Sequence, residues 1–359
     1  MKDVNKDKEN YPDYIETIFE FNVQKGKKPE RLDHFLTNAI YNATRNRVQK
    51  AIEEQRVTIN GKVAKASKKV QPGDHIICKI MKAPPLELLP ENIPLDIIYE
   101  DEYLMVVNKP PFMCTHPGYG HRYGTLVNAV LYHLGLRRSI KIENLDLEED
   151  EEDISEGEIF ASEEVRPGIV HRLDKDTSGI LVIAKNPEIH ANLSKQFAER
   201  TTDRKYLALV WGDLKDDEGV IEGDIGRSPK NRKLFAVVKK NGKPAKTSYQ
   251  VVDRFEFVTL IRLKLFTGRT HQIRVHLSHI NHPVFGDDSY GGNQLVRGGT
   301  PEVNKIANKC LSLINRHLLH AETLGFYHPI KKEFMNFSSN LPLDFNNVLN
   351  ILRNWRNTK

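Results

Sequence analysis

The sequence predicts an α+β protein in two parts: a small basic domain and a larger domain built on a mainly antiparallel, mixed sheet. Three observations carry this. Leu32, Phe35, Leu36, Ala39 and Ile40 have helical apolar spacing and precede the hairpin signal Val57-Thr58-Ile59-Asn60-Gly61. The proline-rich stretch 83–94 then breaks the pattern. Beyond it, β-branched and aromatic runs outnumber helical ones.

The chain has 359 residues, 39% hydrophobic and 28% charged, enough for a sizeable core. No apolar run has the length of a membrane span, and the charged start at residues 1–10 lacks the apolar stretch of a secretory signal. Cys78, Cys114 and Cys310 lie far apart and form neither a disulfide framework nor a metal motif, which points to a reducing cytoplasm. The net charge of +5 hides an asymmetry. Residues 25–82 hold 14 Lys/Arg against 5 Asp/Glu, whereas residues 142–164 hold 12 acids and no Lys or Arg. Two basic bodies carrying an acidic insert suggest a polyanionic partner, most simply nucleic acid.

Residues 1–24 read as a leader whose Ile15, Ile18, Phe19, Phe21 and Val23 could add a strand to the small domain behind it. Residues 25–82 form that domain. After the first helix, Val48, Ala51 and Ile52 mark a second, with Thr44 or Asn46 as N-cap. It shows Arg45, Arg47 and Lys50 near its start, an arrangement better tolerated beside an anion. Pro72-Gly73-Asp74 turns the chain into a last strand at Ile76-Ile77-Cys78. These features, from Arg31-Leu32-Asp33 to Asn60-Gly61, resemble the S4 RNA-binding domain, which makes Arg31, Arg45, Arg47 and Lys50 its candidate RNA contacts. Residues 83–94 read as a stiff linker.

The second domain, 95–359, opens with a hairpin: Ile97-Ile98-Tyr99, a turn at 100–102, and Tyr103 to Val107. A helix succeeds it around Leu126, Val127, Ala129, Val130, Tyr132 and Leu134. The acidic insert 142–164 reads as a solvated segment. Next come Arg166 to Gly179, loop-like and rich in cations around two acids, and the buried strand Ile180 to Ala184. A helical segment turns Leu193, Phe197 and Ala198 inward. Tyr206 to Gly212, Tyr249 to Phe255 and Thr259 to Phe266 are strands. The polar start of Thr267 to Leu277 and its alternating Ile273, Val275 and Leu277 read as an exposed loop or helix start running against the core.

Familiar enzyme patterns are missing: no GxGxxG after a strand, no GxxxxGK[ST], no GxSxG and no HExxH. There remain one placed acid, several cations and aromatic residues. Asp174, beside Leu173 and near Arg172, could be both desolvated and charge-paired, and such a carboxylate can act as a nucleophile. To stay ionised when buried it needs a cation, and Arg269 or Arg274 could supply one. Tyr206 offers a flat face for a base. Chemistry on a base inside an RNA helix requires flipping it out, and Arg172 is placed to fill the gap. The competing readings are a non-catalytic RNA-binding protein and a nucleosidase that releases free uracil.

His171-Arg172-Leu173-Asp174-Lys175-Asp176-Thr177-Ser178-Gly179 resembles the signature of the RluA family of pseudouridine synthases. Arg204 to Val210, Gly268 to His276, Gly286-Asp287-x-x-Tyr290-Gly291 and Leu319-His320-Ala321 resemble its further motifs, in the same order. With the S4-like part, the resemblance covers about residues 25 to 335. It implies isomerisation of uridine to pseudouridine in RNA: the N1–C1′ bond breaks, the base rotates and a C5–C1′ bond forms. Reactant and product are isomers, so no cofactor and no metal are implied. By resemblance Asp174 is the catalytic carboxylate, Arg274 its paired cation, and Tyr206 the residue that stacks on the base and helps with the C5 proton. Arg172 fills the vacated stack, Ile273 packs against uracil, Arg269 and His271 are weaker contacts, and His171 is as well explained structurally. Ribosomal RNA of the large subunit is the favoured substrate, tRNA the alternative, and a monomer is expected. The acidic insert is the main departure from the family's length.

Overall fold

The computed structural model describes residues 15–26, 28–40, 43, 45–82, 86–117, 121–142, 168–231, 233–295 and 299–358. The chain divides into two compact units, residues 1–85 and 86–359.

In the first unit, β1 (Ile15–Asn22) pairs antiparallel with β6 (His75–Lys82), from Ile15↔Lys82 to Asn22↔His75. Residues 15–22 of the stretch read as a leader thus add a strand to this unit's sheet, as their apolar residues suggest. The sheet order is β1-β6-β3-β4, with β3 Val57–Ile59 and β4 Lys62–Val63, beside a two-stranded pair of β2 (Glu30–Arg31) and β5 (Lys69–Val70). The turn between β3 and β4 is Asn60-Gly61, both at positive φ (51° and 77°), as a two-residue hairpin requires. Helices α1 (Leu32–Ala39) and α2 (Arg45–Glu53) bury Leu32, Phe35, Leu36, Val48, Ala51 and Ile52 in one core. Asn46 lies within α2, so it is not the cap, and Thr44 lies outside the described residues.

The second unit is organised by an 11-stranded sheet. Ahead of it, β7 (Leu86–Leu88) pairs with β10 (Ile140–Ile142), so part of the expected linker is paired structure. The acidic segment beyond Ile142 lies outside the described residues. The hairpin of β8 (Ile97–Glu100) and β9 (Leu104–Lys109) forms as its sequence suggests. Helix α3 (Leu126–His133) starts at Thr125, whose side chain accepts from the Asn128 N–H in a capping box. Then come β11 (Gly168–Ile169), β12 (Ser178–Ala184), α4 (Pro187–Glu199), β13 (Asp203–Trp211), β14 (Glu218–Arg227), β15 (Phe235–Val237), β16 (Lys243–Arg254) and β17 (Val258–Leu265). After α5 (Gln272–His279) and α6 (Pro301–Leu311), β18 (Leu319–Tyr327), β19 (Phe334–Ser338) and α7 (Leu343–Asn357) complete it. The sheet runs β15-β14-β16-β17-β13-β18-β12-β9-β8, with β11 on β12 and β19 on β18.

On α4, Leu193 is fully buried, but Ala198 is exposed, against the expectation that it faces inward. It stands in the last turn of the helix, where it lines an open cleft and does not face the core. The other departure is α5. Every residue from Gln272 to Leu277 is buried, polar ones included.

Among the described residues, all pairs along the main sheet are antiparallel except one. β12 and β18 run parallel through Ser178↔His320 and Gly179↔Ala321. Every residue of β12 is buried. Gly179 sits at φ +119°, where a Cβ would lie 2.2 Å from the Ala321 carbonyl oxygen. Gly179→Ala should therefore destabilise the protein by about 3 kcal/mol, from strained backbone and a clash with main chain that cannot swing away. Thermal denaturation checks this, and an unchanged melting temperature would refute the close approach.

Candidate active site

Asp174 stands in the loop that leads into β12, and that loop is pinned carbonyl by carbonyl. The Leu173 carbonyl accepts from Thr115 Oγ1 at 3.0 Å. The Asp174 carbonyl accepts from the Thr177 N–H at 3.0 Å, closing a turn. The Lys175 carbonyl accepts from Lys109 Nζ at 3.1 Å. The Asp176 carbonyl accepts from Arg316 Nη1 at 3.1 Å. Lys109 is 1% exposed and also donates to the Pro110 and Met113 carbonyls at 2.9 and 2.8 Å. Burial pushes its ammonium down to about 7, with Asp174 acting in the opposite direction. Arg316 is itself held by Asp344 through Nε and Nη2 at 2.6 and 2.9 Å.

The Asp174 carboxylate faces α5. Arg274 Nη1 donates to Asp174 Oδ2 at 2.9 Å. The same guanidinium makes a fork with Asp287, Nε to Oδ2 at 2.7 Å and Nη2 to Oδ1 at 3.0 Å. Asp287 also accepts from the Ser289 and Tyr290 N–H groups, and the Tyr290 ring lies 4.9 Å from Arg274 Cζ. Burial works against the charge of Asp174, but His271, Arg274 and His317 outweigh it and hold the carboxyl well below its ordinary 3.8. His317 is itself pushed down to about 3, by burial and then by Arg274, so it is neutral at neutral pH. Arg274 is thus the fixed cation. His271 Nε2 stands 4.0 Å from Asp174 Oδ2, and its Nδ1 is 2.8 Å from the Tyr290 hydroxyl.

These groups open on a cleft of about 490 Å³. Its apolar lining includes Ile169, Leu173, Leu265, Ile273 and Leu319, with Tyr206 beside them. Tyr206 is 6% exposed, and burial raises its hydroxyl's pKa, so the ring stays neutral. A register shift between Lys205 and Tyr206 sets it opposite Ala321. Arg172 is exposed and lines the cleft, as do Arg269 and His116. His171 has a structural place: its Nε2 accepts from the Val182 N–H at 3.2 Å and its ring stacks on Phe197 at 4.5 Å. Asp174, Arg274, Tyr206, Ile273, Arg172, Arg269 and His271 thus meet in one cleft.

The candidates of the first unit stand otherwise. Arg31 forks onto buried Asp33 at 2.9 and 2.9 Å, and Arg45 reaches the same carboxylate at 3.3 Å. The Arg31 hydrogen bond leads in holding the Asp33 carboxyl well below its usual range. Lys50 is exposed, and the Arg47 side chain lies outside the described residues.

Among the described residues no group of three or more His, Cys, Asp or Glu is arranged to hold a metal, and no helix is long and apolar enough to cross a membrane.

The RNA pseudouridylate synthase family matches residues 103–279, and the S4 domain matches residues 30–76. An uncharacterized RNA pseudouridine synthase of Chlorobaculum parvum is 43% identical over 92% of this chain and 96% of its own. The ribosomal large subunit pseudouridine synthase D of Pasteurella multocida is 36% identical over 92% of this chain and 94% of its own. The chain belongs to the RluA family of RNA pseudouridine synthases, with an S4 domain at its N-terminal side. The structure of human RNA pseudouridylate synthase domain containing 4 shares the fold, with a TM-score of 0.52 and 24% identity over 72% of this chain and 92% of that one.

This pseudouridine synthase is therefore an isomerase acting on uridine in RNA. Sequence reasoning passed over several residues around its cleft. Asp287 was noticed only within a motif, although its place between Gly286 and Tyr290 marks a tight loop. Lys109 carried one signal, a lysine ahead of two prolines. Thr115 and Arg316 carried none, because each acts on backbone carbonyls distant in sequence.

The shared guanidinium sets an asymmetry. Asp174→Asn leaves Arg274 forked to Asp287 and should change folding stability by no more than about 1 kcal/mol. Arg274→Met leaves the buried Asp287 and the half-buried Asp174 without their cation and should cost about 3–5 kcal/mol. Denaturant titration of both variants checks this. A large loss for Asp174→Asn would make Asp174 chiefly structural. Because the folded pKa of Asp174 lies below 3.8, its stabilising contribution is present above that pH and is lost as pH falls further.

Proposed function

We propose that Asp174 is the catalytic carboxylate, that the target uridine is flipped into the cleft, and that the substrate is large-subunit ribosomal RNA. The observation that carries this is an ionised carboxylate, paired to Arg274 at 2.9 Å, opening on a cleft whose lining includes Tyr206 and Ile273. A carboxylate kept charged in a partly desolvated place is matched to nucleophilic work. It acts either on the ribose C1′, on the pyrimidine ring, or by supporting a glycal-like intermediate. In each route the N1–C1′ bond breaks, the C5–C1′ bond forms, and the C5 proton leaves with N1 taking a proton. Tyr206 stacks on the base and assists the C5 proton, while Ile273 holds the uracil edge. Arg269 and His271 contact the substrate at the cleft.

A single flipped nucleotide leaves a gap in its helix, and Arg172 is long, charged and exposed beside the cleft. The S4 domain grips a separate part of the same RNA, which raises the effective concentration of the target at the cleft. The relative named for the ribosomal large subunit, matched over 94% of its length, supports the substrate. The reading is of a monomer.

Mapping pseudouridine in total RNA from a deletion strain tests the whole reading. One or more large-subunit sites should disappear, return with the wild-type protein and stay absent with Asp174→Asn. Disappearance of tRNA sites alone would overturn the substrate, and restoration by Asp174→Asn would overturn the catalytic carboxylate. A second measurement isolates base flipping. Arg172→Ala should slow single-turnover isomerisation at least about tenfold on a stem-loop whose target is paired, and much less on one whose target is unpaired. Equal slowing on both would remove the gap-filling role.

A further inference from the structure

Part of the cleft lining is not used by the chemistry above. Helix α4 contributes Ser194 and Phe197, and β13 contributes Arg204 two residues before Tyr206. Arg204 is 9% exposed. Its Cζ lies 5.3 Å from the Phe197 ring centroid, and the same ring stacks on His171 with an interplanar angle of 21°. Among the described residues Arg204 Nε has no hydrogen-bond partner, and neither has Ser194 Oγ. A third atom of the same lining, His116 Nδ1, is also buried without one.

Buried polar atoms without partners are few in native proteins, and each one costs about 1–3 kcal/mol, more where the group is charged. Three on one cleft, from separate elements, point to a ligand that completes them. The surroundings state its charge. Arg172, Lys243 and Arg269 also line the cleft, and the one carboxylate among its described lining residues, Asp174, is already bound to Arg274. Burial, then Arg172 for His116 and Arg204 for His171, pushes both imidazoles down to about 3, so neither adds charge at neutral pH. The site therefore seeks an acceptor oxygen bearing negative charge. A stacked base fits poorly, because His171 and Arg204 already pack against Phe197.

We infer that Arg204 and Ser194 form a subsite for a phosphodiester oxygen of the RNA strand, at a nucleotide flanking the target uridine. The inference rests on the reading that the cleft receives RNA. It makes Arg204 a substrate-binding residue that sets the register in which the strand enters.

Methylphosphonate substitution tests it, because it removes the charge of one phosphate at a time. Stem-loop RNA spanning the mapped uridine is bound to Asp174→Asn protein, which prevents turnover, with and without Arg204→Met or Ser194→Ala. With Arg204 and Ser194 present, one flanking position should weaken binding about tenfold, the size of one charge-assisted hydrogen bond. With Arg204→Met the same substitution should cost less than about twofold, and the slope of log affinity against log salt should be shallower by about 0.7. Ser194→Ala should reduce the penalty at that position alone. Equal penalties in all proteins at every position would overturn the subsite and leave Arg204 as packing for Phe197. Should Arg204→Met fail to fold, Ser194→Ala and Arg204→Gln make the same comparison. Turnover of the unmodified stem-loop by wild-type protein, measured in parallel, judges the isomerase reading separately from the subsite.

Discussion

One guanidinium holds the catalytic unit's polar interior in register. Arg274 is nearly buried and carries a single positive charge between two carboxylates. Its fork is committed to Asp287, which is fixed by two further backbone donors, so its remaining Nη1 arrives at Asp174 with little freedom left. A lysine would offer a point charge and could not divide itself in this way. The net charge of the three groups is negative by one, which leaves Asp174 attracted but not neutralised. Its side chain is 21% exposed, so the unspent charge opens on the cleft.

The backbone answers the same demand from the other side. Four successive carbonyls, Leu173 to Asp176, each have a donor. Two of these donors are the buried side chains of Lys109, whose hydrogen bonds go to main chain, and Arg316, which is also forked to Asp344. The loop cannot drift along β12 either, because Gly179 brings β12 into close contact with β18. Side-chain pairing, carbonyl anchoring and strand contact thus fix the same residue independently, as the proposed catalytic role requires.

Much of this was legible in the sequence. The Asn60-Gly61 turn, the helices of the small unit and the strand from Ile180 obey local rules, and each occupies its expected place. The meeting of Asp174 with Arg274, one hundred residues apart, was legible only through the family's motifs. The structure of α5 was not legible by periodicity. Ile273, Val275 and Leu277 alternate as in a strand, yet the residues between them are equally buried. Gln272 bonds Thr247 and Thr267, His276 bonds Thr247 through Nδ1, and Arg274 bonds two acids, so pairing with other elements lets these polar residues sit inside, although His276 Nε2 has no hydrogen-bond partner among the described residues. Helix α7 was readable in principle from Phe345, Val348, Leu349, Leu352 and Trp355, which pack with Trp211 and Phe257 in a second core. It shares that core with Leu207 and Leu209 of the β13 motif, and its Asp344 holds Arg316 beneath the Asp174 loop.

The clamp on Asp33 bears on how the small unit holds RNA. Arg31 and Arg45 are half exposed, but both share an internal carboxylate. The two guanidiniums and the one carboxylate sum to a single positive charge, so a phosphate that reaches either arginine meets a charge partly offset and must compete with Asp33 for it. Fewer condensed counterions leave the RNA than the tally of arginines suggests. The lysines Lys62, Lys65, Lys68 and Lys69, on and between β4 and β5, stand exposed to solvent. Long-range attraction for a polyanion then falls more to the lysine edge of the unit than to the two arginines.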